Sequence, residues 1–385
     1  MRKINILHII GSMNVGGAEK SLLLLLQNID RSRFNPVVVT MYSEGIYDFF
    51  YQDFKQLNIP LYHLHLRSWR DLKTFYELKD IIRMHRIDIT HSHCGNLEFF
   101  GTLYARLAGV RHCIYTKHNM RVKTGFTFHL ERVLLNCILT ERILSISQTV
   151  TEHLVTNEYS PRNRIRLVYN PIENPHILNS DQIFRQKREW KILPKRFIIG
   201  NTSRFDPFKG FDIFYLTLRK LVDARLPVYG IVLGDENNRI NHKRLIERYH
   251  LKEYISIIPF QKDLSNIYSL LDYYLFPSIN EEGFGMALLE AMSYGLPVVG
   301  LNVGVMAEII CDKYNGLLPF PKKWVKTYDG TCEEAAQALA NSIAELTSNS
   351  ALRQKISKNA RKTAKKFSTA NFTKKIEDIY FELMQ

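Results

Sequence analysis

Several familiar signals are missing from this chain of 385 residues. No apolar run approaches the roughly 20 residues that a membrane-spanning helix requires; residues 22–26 form one of the longest runs. The five cysteines include no C-x-x-C pair and are odd in number, which predicts reduced thiols and a cytosolic protein. The start Met1-Arg2-Lys3 resembles a signal peptide, but His8 interrupts the apolar run and no small-residue cleavage site follows. We therefore interpret residues 4–10 as a first β-strand.

Acidic residues are scarce relative to basic ones, since 38 Asp and Glu face 52 Lys and Arg and give a net charge of +14. Residues 106–166 hold ten basic and four acidic residues, and residues 353–375 hold nine basic and no acidic ones. Such clusters fit an anionic membrane surface, a nucleic acid or a solvated helix face. No recognition motif or interleaved aromatic residues accompany them, so binding to nucleic acid is not expected.

Strand-like and helix-like segments alternate along the chain, which predicts parallel βαβ units. The alternation runs through residues 1–172, stops in a polar stretch with turn residues, and restarts at about residue 197. We predict an N-terminal doubly wound, Rossmann-like domain over 1–172, a linker over 173–195 and a second such domain over 196–367. An amphipathic helix over 368–385 should pack back on the first domain.

A glycine-rich loop follows the first predicted strand, with Gly11, Gly16 and Gly17 before a leucine-rich helix. The spacing does not match G-x-G-x-x-G, and Gly17-Ala18 stand where a P-loop has Lys-Ser or Lys-Thr. Two interpretations remain open: the backbone approaches a phosphate or a sugar, or the loop is a tight turn without a ligand.

Residues 280–299 hold Glu281, Glu282 and Glu290, of which Glu282 and Glu290 bracket the start of a short predicted helix. Glu282 precedes the helix start near Gly285, Glu290 lies within the helix, and Gly295 is placed to end it in the left-handed conformation. The first helical amides, of residues 285–288, would face an anion, while the carboxylates accept hydrogen bonds from vicinal hydroxyls. A nucleoside diphosphate sugar has both features; a solvated acidic loop is the alternative.

Basic and imidazole side chains follow other predicted strands. Arg204 and Lys209 lie between a strand and a helix, where they can grip a diphosphate, each contact contributing roughly 1.5–3 kcal/mol; a solvated loop is the alternative. His91 and His93 end another strand. Without a third ligand nearby in the sequence, they predict a polar strand end rather than a metal site.

Taken in order, these motifs resemble those of a retaining GT-B glycosyltransferase of family 4, also called group 1. The resemblance runs nearly end to end and rests on Gly16-Gly17-Ala18-Glu19, His91-Ser92-His93, Thr116-Lys117-His118-Asn119, Asn170-Pro171-Ile172, Arg204 with Lys209-Gly210, Leu233-Gly234-Asp235, Phe276-Pro277-Ser278, Glu282-Gly283-Phe284-Gly285, Glu290-Ala291-Met292 and Asn315-Gly316-Leu317-Leu318. It implies two Rossmann-like domains facing a central cleft, with the acceptor on the N-terminal side and the donor on the C-terminal side.

The resemblance also implies residue roles. Arg204 and Lys209 would neutralise the donor diphosphate, Glu290 would hold the ribose, and Glu282 would hold the transferred sugar. His118 would lie near the reacting centre. The backbone contacts to the donor would come from Gly16, Gly17, Gly283, Phe284, Gly285 and Met286. A donor phosphate oxygen would take the acceptor proton, so no protein base is needed, and catalysis would rest on electrostatic stabilisation of the leaving diphosphate.

The implied activity is transfer of a hexose or an N-acetylhexosamine from a nucleoside diphosphate sugar, UDP favoured over GDP, to a glycan or lipid-linked acceptor. Bacterial cell-surface polysaccharide synthesis is the implied setting, in the cytoplasm or peripherally on the inner face of the membrane. The chain contains no D-x-D, which weighs against a metal-dependent enzyme. We expect no cofactor. A GT-B-like UDP-sugar 2-epimerase is the nearest alternative enzyme, and a basic nucleic-acid-binding protein is the alternative from another class.

Overall fold

A computed structural model describes residues 2–42, 45–67, 71–93, 97–120, 125–234, 236–279, 282–319 and 331–385. The strands of these residues are β1 Ile4–Ile10, β2 Phe34–Thr40, β3 Leu61–His63, β4 Ile89–His93, β5 His112–Lys117, β6 Arg142–Ser145, β7 Ile165–Leu167, β8 Phe197–Asn201, β9 Val228–Gly234, β10 Ile255–Pro259, β11 Tyr273–Phe276 and β12 Val298–Gly300. The α-helices are α1 Gly17–Asn28, α2 Tyr51–Gln56, α3 Leu72–Met84, α4 Leu97–Leu107, α5 Phe126–Val133, α6 Gln148–Asn157, α7 Ser180–Glu189, α8 Phe211–Asp223, α9 Glu236–Arg248, α10 Ser265–Leu270, α11 Met286–Ser293, α12 Met306–Ile309, α13 Thr331–Ser348, α14 Ser350–Ala364 and α15 Thr369–Met384.

The chain divides into two compact units. Unit 1 comprises Met1–Ile172 and Phe367–Gln385, and unit 2 comprises Glu173–Lys366. The stretch 173–195, which the sequence analysis treats as a linker, lies in unit 2 and contains α7. Its polar composition hides a helix that begins with a capping box, in which Asn179 and Gln182 exchange side-chain and backbone hydrogen bonds.

Unit 1 is built on a seven-stranded parallel sheet in the order β3-β2-β1-β4-β5-β6-β7. Helices cover both faces, so β1 is apolar almost throughout instead of alternating with polar residues. Successive residues of β1 enter different clusters: Ile6 packs with Leu22 and Leu25 of α1, whereas Leu7 packs with Leu78 of α3. The two faces of the sheet thus carry separate cores.

The terminal helix α15 belongs to the first of these cores. Its predicted apolar stripe is buried and is formed by Phe372, Ile376, Ile379, Tyr380 and Leu383. Tyr380 contacts Phe34 of β2, and its hydroxyl lies 2.7 Å from Nδ1 of His91. The end of the chain therefore completes the core around the middle of the sheet.

Unit 2 has a five-stranded parallel sheet in the order β10-β9-β8-β11-β12. Its core joins the sheet to α8 and α13 through residues such as Phe214, Leu218, Leu339 and Ile343. Among the described residues, no helix is long and apolar enough to cross a membrane.

Strand order reverses once in each sheet, between β1 and β4 in unit 1 and between β8 and β11 in unit 2. In open α/β sheets, ligands bind at the carboxyl ends of the strands beside such a switch point, because the neighbouring loops diverge there. Most predicted site residues follow one of these four strands. The segment between β2 and β3 contains a 3₁₀ turn at Gly45–Tyr47 and then the short α2.

Candidate functional site

The loop after β8 packs tightly against the segment that follows β11. Gly210 adopts a left-handed conformation with φ of 67°, and a Cβ atom there would lie 2.0 Å from the carbonyl oxygen of Pro277. Phe208 accepts hydrogen bonds on its carbonyl from Ser278 Oγ at 3.1 Å and from the amide of Ile279 at 3.0 Å. Only glycine fits this contact, which fixes the position of the preceding Lys209.

Lys209 and Glu282, predicted from separate motifs, meet at the switch point. Lys209 Nζ lies 2.7 Å from Glu282 Oε2, and the side chains are 26% and 15% exposed. The second carboxylate oxygen, Oε1, is inaccessible to solvent and has no hydrogen-bond partner among the described residues. Arg204 is exposed on the same loop as Lys209. The pair can therefore exchange partners when a ligand supplies a phosphate for the cation and hydroxyls for the carboxylate.

The helix beside this pair starts as predicted, although with fewer available amides. Gly285, with φ of 70°, precedes α11, and Gly295, with φ of 78°, ends it, which confirms the predicted glycine stop. The sequence predicts the amides of residues 285–288 as ligand donors, but the Leu288 amide already donates to the carbonyl of Gly285 at 3.0 Å. Met286 and Ala287 lie in the first turn, where amides have no partner within the helix. Phe284 is 3% exposed and anchors the loop in the core. Asn280 and Glu281 lie outside the described residues.

Glu290 is held by a tyrosine that the sequence did not single out. Tyr268 donates from its hydroxyl to Glu290 Oε2 at 2.9 Å, and the same hydroxyl lies 2.7 Å from Thr202 Oγ1. Burial and the nearby Glu290 charge raise the pKa of Tyr268 well above its usual value, so the phenol keeps its proton. The residues of this network are far apart in sequence, so no local motif predicts it.

In unit 1, Gly16 and Gly17 lie at the start of α1, beside the end of β1. Gly16 has an extended backbone, and a Cβ atom on it would meet Oε2 of Glu19 at 2.1 Å. The close approach seen in the structure is therefore to the side chain of Glu19, a flexible group. Gly17 is exposed at the first position of the helix.

Three buried imidazoles occupy β1 and β4, which corrects the expectation that His91 and His93 lack a third neighbour. His8 Nδ1 lies 3.2 Å from His93 Nε2, while His91 places its ring nitrogens 2.7 Å from the hydroxyls of Tyr380 and Thr116. Ring nitrogens of the three histidines lie within 4.8 Å of one another. Parallel pairing sets His8 opposite His91, a register that the sequence does not reveal. Four of the six ring nitrogens bond to each other or to hydroxyls, whereas His8 Nε2 is buried without a hydrogen-bond partner among the described residues. The cluster is therefore largely a hydrogen-bonded network.

His118 follows β5 and lies beside His93, with ring centroids 6.0 Å apart and ring planes tilted by 35°. Both of its ring nitrogens are inaccessible to solvent and have no hydrogen-bond partner among the described residues. Burial lowers the pKa of His118 to about 3, so the ring is neutral near pH 7. A neutral imidazole can donate or accept one hydrogen bond but supplies no positive charge.

Next to His118, a charge cluster that the sequence analysis missed closes the end of β5. Lys117 Nζ lies 3.0 Å from Glu98 Oε2 and 2.8 Å from Glu158 Oε1. Arg132 Nη1 lies 3.0 Å from the same Glu98 oxygen. Burial alone would raise the pKa of Glu158, but His153, Lys117 and Arg132 lower it to about 2. We refer to Lys117, Glu98, Arg132 and Glu158 as the buried quartet. It joins β5 to α4, α5 and the end of α6.

Two known protein families together match nearly the whole chain. Residues 15–174 match the family described as Glycosyltransferase Family 4, and residues 182–363 match Glycosyl transferases group 1. The two matches fall almost completely within unit 1 and unit 2, respectively.

Two curated relatives show the range of similar proteins. The phosphatidylinositol N-acetylglucosaminyltransferase GPI3 subunit of Saccharomyces cerevisiae is 27% identical over 245 residues, which cover 62% of this chain and 53% of that protein. The UDP-Gal:alpha-D-GlcNAc-diphosphoundecaprenol alpha-1,3-galactosyltransferase of Escherichia coli is 22% identical over 404 residues, covering 99% of this chain and 98% of that protein. The chain thus spans about half of the yeast relative and nearly all of the bacterial one.

Solved structures with the same architecture include HepE of Anabaena in complex with UDP and glucose, with a TM-score of 0.82, 20% identity and coverage of 98% of this chain and 100% of that one. A glycosyltransferase from Rickettsia africae has the same TM-score and identity and covers both chains fully. These likenesses confirm the predicted α/β fold with two Rossmann-like units. By its family matches and its GT-B fold, the chain belongs to the group 1 glycosyltransferases.

Proposed function

We propose that the protein is a retaining glycosyltransferase that moves a hexose or an N-acetylhexosamine from a nucleoside diphosphate sugar to a glycan or lipid-linked acceptor. The observation that carries the proposal is the Lys209–Glu282 pair beside the start of α11, at the β8/β11 switch point. One cation, one carboxylate with an unused oxygen and a helix N-terminus match a donor that has a diphosphate at one end and hydroxyls at the other.

Each unit 2 residue has a separate task in this proposal. Lys209 and Arg204 bind the diphosphate, and the first-turn amides of α11 donate to its oxygens. Glu282, released from Lys209, accepts from the sugar hydroxyls. Glu290 accepts from the ribose while Tyr268 holds it in place. As the bond between the sugar and the phosphate breaks, negative charge grows on the diphosphate, and the prepositioned cations and amides stabilise it.

The unit 1 residues Gly16, Gly17 and His118 stay predictions, and the chemistry of His118 limits its role. Because its imidazole is neutral, it serves as a hydrogen-bonding group for a substrate hydroxyl and not as a general acid near pH 7. We propose that the acceptor oxygen bonds to the sugar on the same face from which the diphosphate leaves, which retains the configuration. A phosphate oxygen of the departing diphosphate takes the acceptor proton, so no protein base is required.

For the donor we favour UDP over GDP, because the relatives whose names or structures specify a nucleotide contain UDP. Lipid-linked and polysaccharide acceptors are likewise supported by relatives such as the bacterial galactosyltransferase and the capsular polysaccharide glycosyltransferase CapM of Staphylococcus aureus. We propose that no metal or cofactor is required, since Arg204, Lys209 and the helix start supply the positive charge. Turnover that disappears on chelation and returns with a divalent cation would contradict this part.

The donor is identified by thermal shift with UDP, GDP and a panel of their sugars. A ligand at a hundred times its dissociation constant stabilises the folded protein by about 2.7 kcal/mol, which is a readily measured shift. We expect UDP and one or two UDP-sugars to stabilise. Stabilisation by GDP-sugars alone would overturn the nucleotide assignment.

Transfer itself is measured by UDP release with and without acceptor. We expect Lys209→Ala and Glu282→Ala each to reduce turnover at least about a hundredfold, the effect of removing one transition-state stabiliser. Exposed Lys243→Ala is the matched control. Conversion of the donor into an epimer without acceptor would establish the epimerase alternative. Near-normal turnover in both variants would contradict the proposed roles of Lys209 and Glu282.

A further inference from the structure

Unit 2 has a large concave surface at the end of its strands opposite to Lys209 and Glu282. A groove of about 770 Å³ lies where Asp272 precedes β11 and Pro297 precedes β12, at the amino ends of these strands. Lys209 and Glu282 follow the carboxyl ends of β8 and β11, so the groove opens at the opposite edge of the same sheet. We call it the basic groove, after the five α14-side cations that line it: Arg353, Lys358, Arg361, Lys362 and Lys365.

These cations all line the same groove and follow one another in the sequence at spacings of five, three, one and three residues. Arg353 donates to the Tyr273 hydroxyl and the Leu346 carbonyl, and Arg361 donates to the Tyr294 carbonyl, all of which are neutral groups. Among the described residues, none of the five forms an ion pair with a carboxylate. Asp272, the acidic residue of the lining, accepts a hydrogen bond from the backbone amide of Ile198 at 2.8 Å and is attracted by Arg353, so one carboxylate faces five cations.

Such a concentration of charge is unfavourable without an anion. Like charges one helical turn apart, such as Lys358 and Lys362, repel each other and destabilise a helix. The dipole at the end of α14 favours cations in its last turn, which accounts for Arg361 and Lys362 but not for Lys358. The pattern is therefore that of a surface that binds negatively charged groups.

Apolar side chains beside the cations indicate what carries the negative charge. Ile177, 52% exposed, lines the groove, and Phe184 of α7 is 61% exposed. No residue of α7 is buried, although the helix packs against α10, whose Ser269 lines the groove and accepts a hydrogen bond from the amide of Leu178. Exposed apolar side chains beside lysines and arginines are typical of a protein segment at a lipid surface. The aromatic rings of the lining, Tyr268 and Tyr294, stack on each other and offer no platform for a nucleic-acid base.

We propose that the basic groove binds the phosphate headgroups of anionic lipids and holds unit 2 against a membrane surface, with Ile177 and Phe184 reaching the acyl boundary. The groove cations lie at the opposite end of the strands from Lys209 and Glu282, although Tyr268 both lines the groove and holds Glu290. Lipid binding at these cations does not require sugar transfer. Binding of the protein to membranes is thus testable even where the donor assignment fails.

Co-sedimentation with vesicles tests the proposal directly. Wild-type protein should bind vesicles that contain about one third phosphatidylglycerol and not pure phosphatidylcholine vesicles, and binding should weaken as salt rises. The triple variant K358E/K362E/K365E should lose at least about tenfold in partition coefficient, since each reversed cation removes an attraction to the surface. Its thermal shift with UDP should match that of wild type, which shows that the fold and the donor site are intact.

Two control variants distinguish the effect of the groove cations from that of the overall net charge. K243E/R244E/K252E reverses three exposed cations elsewhere on unit 2 and makes the same change in net charge, and K355E changes an exposed lysine of α14 outside the groove. Both should bind vesicles like wild type. Equal losses in the groove and control triples would overturn the proposal, as would indifference to anionic lipid. Saturable stabilisation by inorganic phosphate without vesicle binding would instead establish a free-anion site and would also overturn it.

Discussion

The protein contains two sets of opposed charges that differ in how completely they are enclosed. In the buried quartet, every side chain is 5% exposed or less and each charge has at least two partners. In the Lys209–Glu282 pair the exposed fractions are 26% and 15%, and one carboxylate oxygen has no partner among the described residues. Both sets contain buried oxygens without a hydrogen-bond partner among the described residues, such as Glu98 Oε1 and Glu282 Oε1, so an unpaired oxygen does not distinguish them. The difference is exposure, and we therefore call the buried quartet the closed set and the Lys209–Glu282 pair the open pair. Ion pairs alone do not mark a binding site, whereas a partly exposed ion pair beside a switch point of the sheet does.

The largest expected effect on stability comes from removing one cation from the buried quartet. Lys117→Met leaves the Glu98 and Glu158 carboxylates buried with one cation fewer, and breaking a buried pair in this way costs about 3–5 kcal/mol. The free energy of unfolding should fall by that amount in urea denaturation followed by circular dichroism. Lys209→Ala, at the open pair, should change it by less than about 1 kcal/mol. Similar losses in the two variants would break the comparison.

Acid should destabilise unit 1 through its enclosed imidazoles. Burial lowers the pKa of His8 to about 3, whereas an unfolded histidine titrates near 6.5, so its stabilising contribution is complete above pH 6.5 and is lost as the pH falls toward 3. At pH 5 the loss is about 2 kcal/mol for each such imidazole.

Urea denaturation at pH 7.5 and pH 5.0 measures this dependence. His8→Asn should lower stability at pH 7.5 and remove its share of the acid-induced loss, while His250→Asn, an exposed control, should follow wild type. An unchanged pH dependence in His8→Asn would show that His8 is not held neutral by burial.

A smaller effect should follow from loosening one carboxylate of the open site. Tyr268→Phe removes the hydrogen bond to Glu290 and keeps the ring in place. Hydrogen bonds to charged groups contribute roughly 1.5–3 kcal/mol, so the dissociation constant for UDP should rise about tenfold or more, measured by calorimetry. Tyr249→Phe, a half-buried tyrosine outside this network, is the control. UDP affinity equal to that of wild type in Tyr268→Phe would mean that Glu290 needs no positioning by Tyr268.

The sequence supports the fold and the open site for different reasons. Strand-like and helix-like segments alternate along the chain and predict both parallel sheets, because a strand that is buried on both faces is a run of apolar residues. Arg204, Lys209 and Glu282 are recognisable because they lie in loops that follow strands, and Glu290 because it lies in the helix that begins after Gly285. The buried quartet, the third histidine His8 and the Tyr268–Glu290 bond depend on strand register and long-range packing. These are contacts between residues far apart in sequence, so no local pattern encodes them.

Calorimetric titration of UDP into wild type, Lys209→Ala and Glu282→Ala tests the central claim most directly, namely that the open pair separates to receive the donor. Lys209→Ala should lose most of the UDP affinity because the diphosphate loses its cation. Glu282→Ala should bind UDP at least as tightly as wild type, since Lys209 no longer has a competing partner, but should lose its preference for the UDP-sugar over UDP. UDP affinity and sugar preference that are the same in all three proteins would contradict the account.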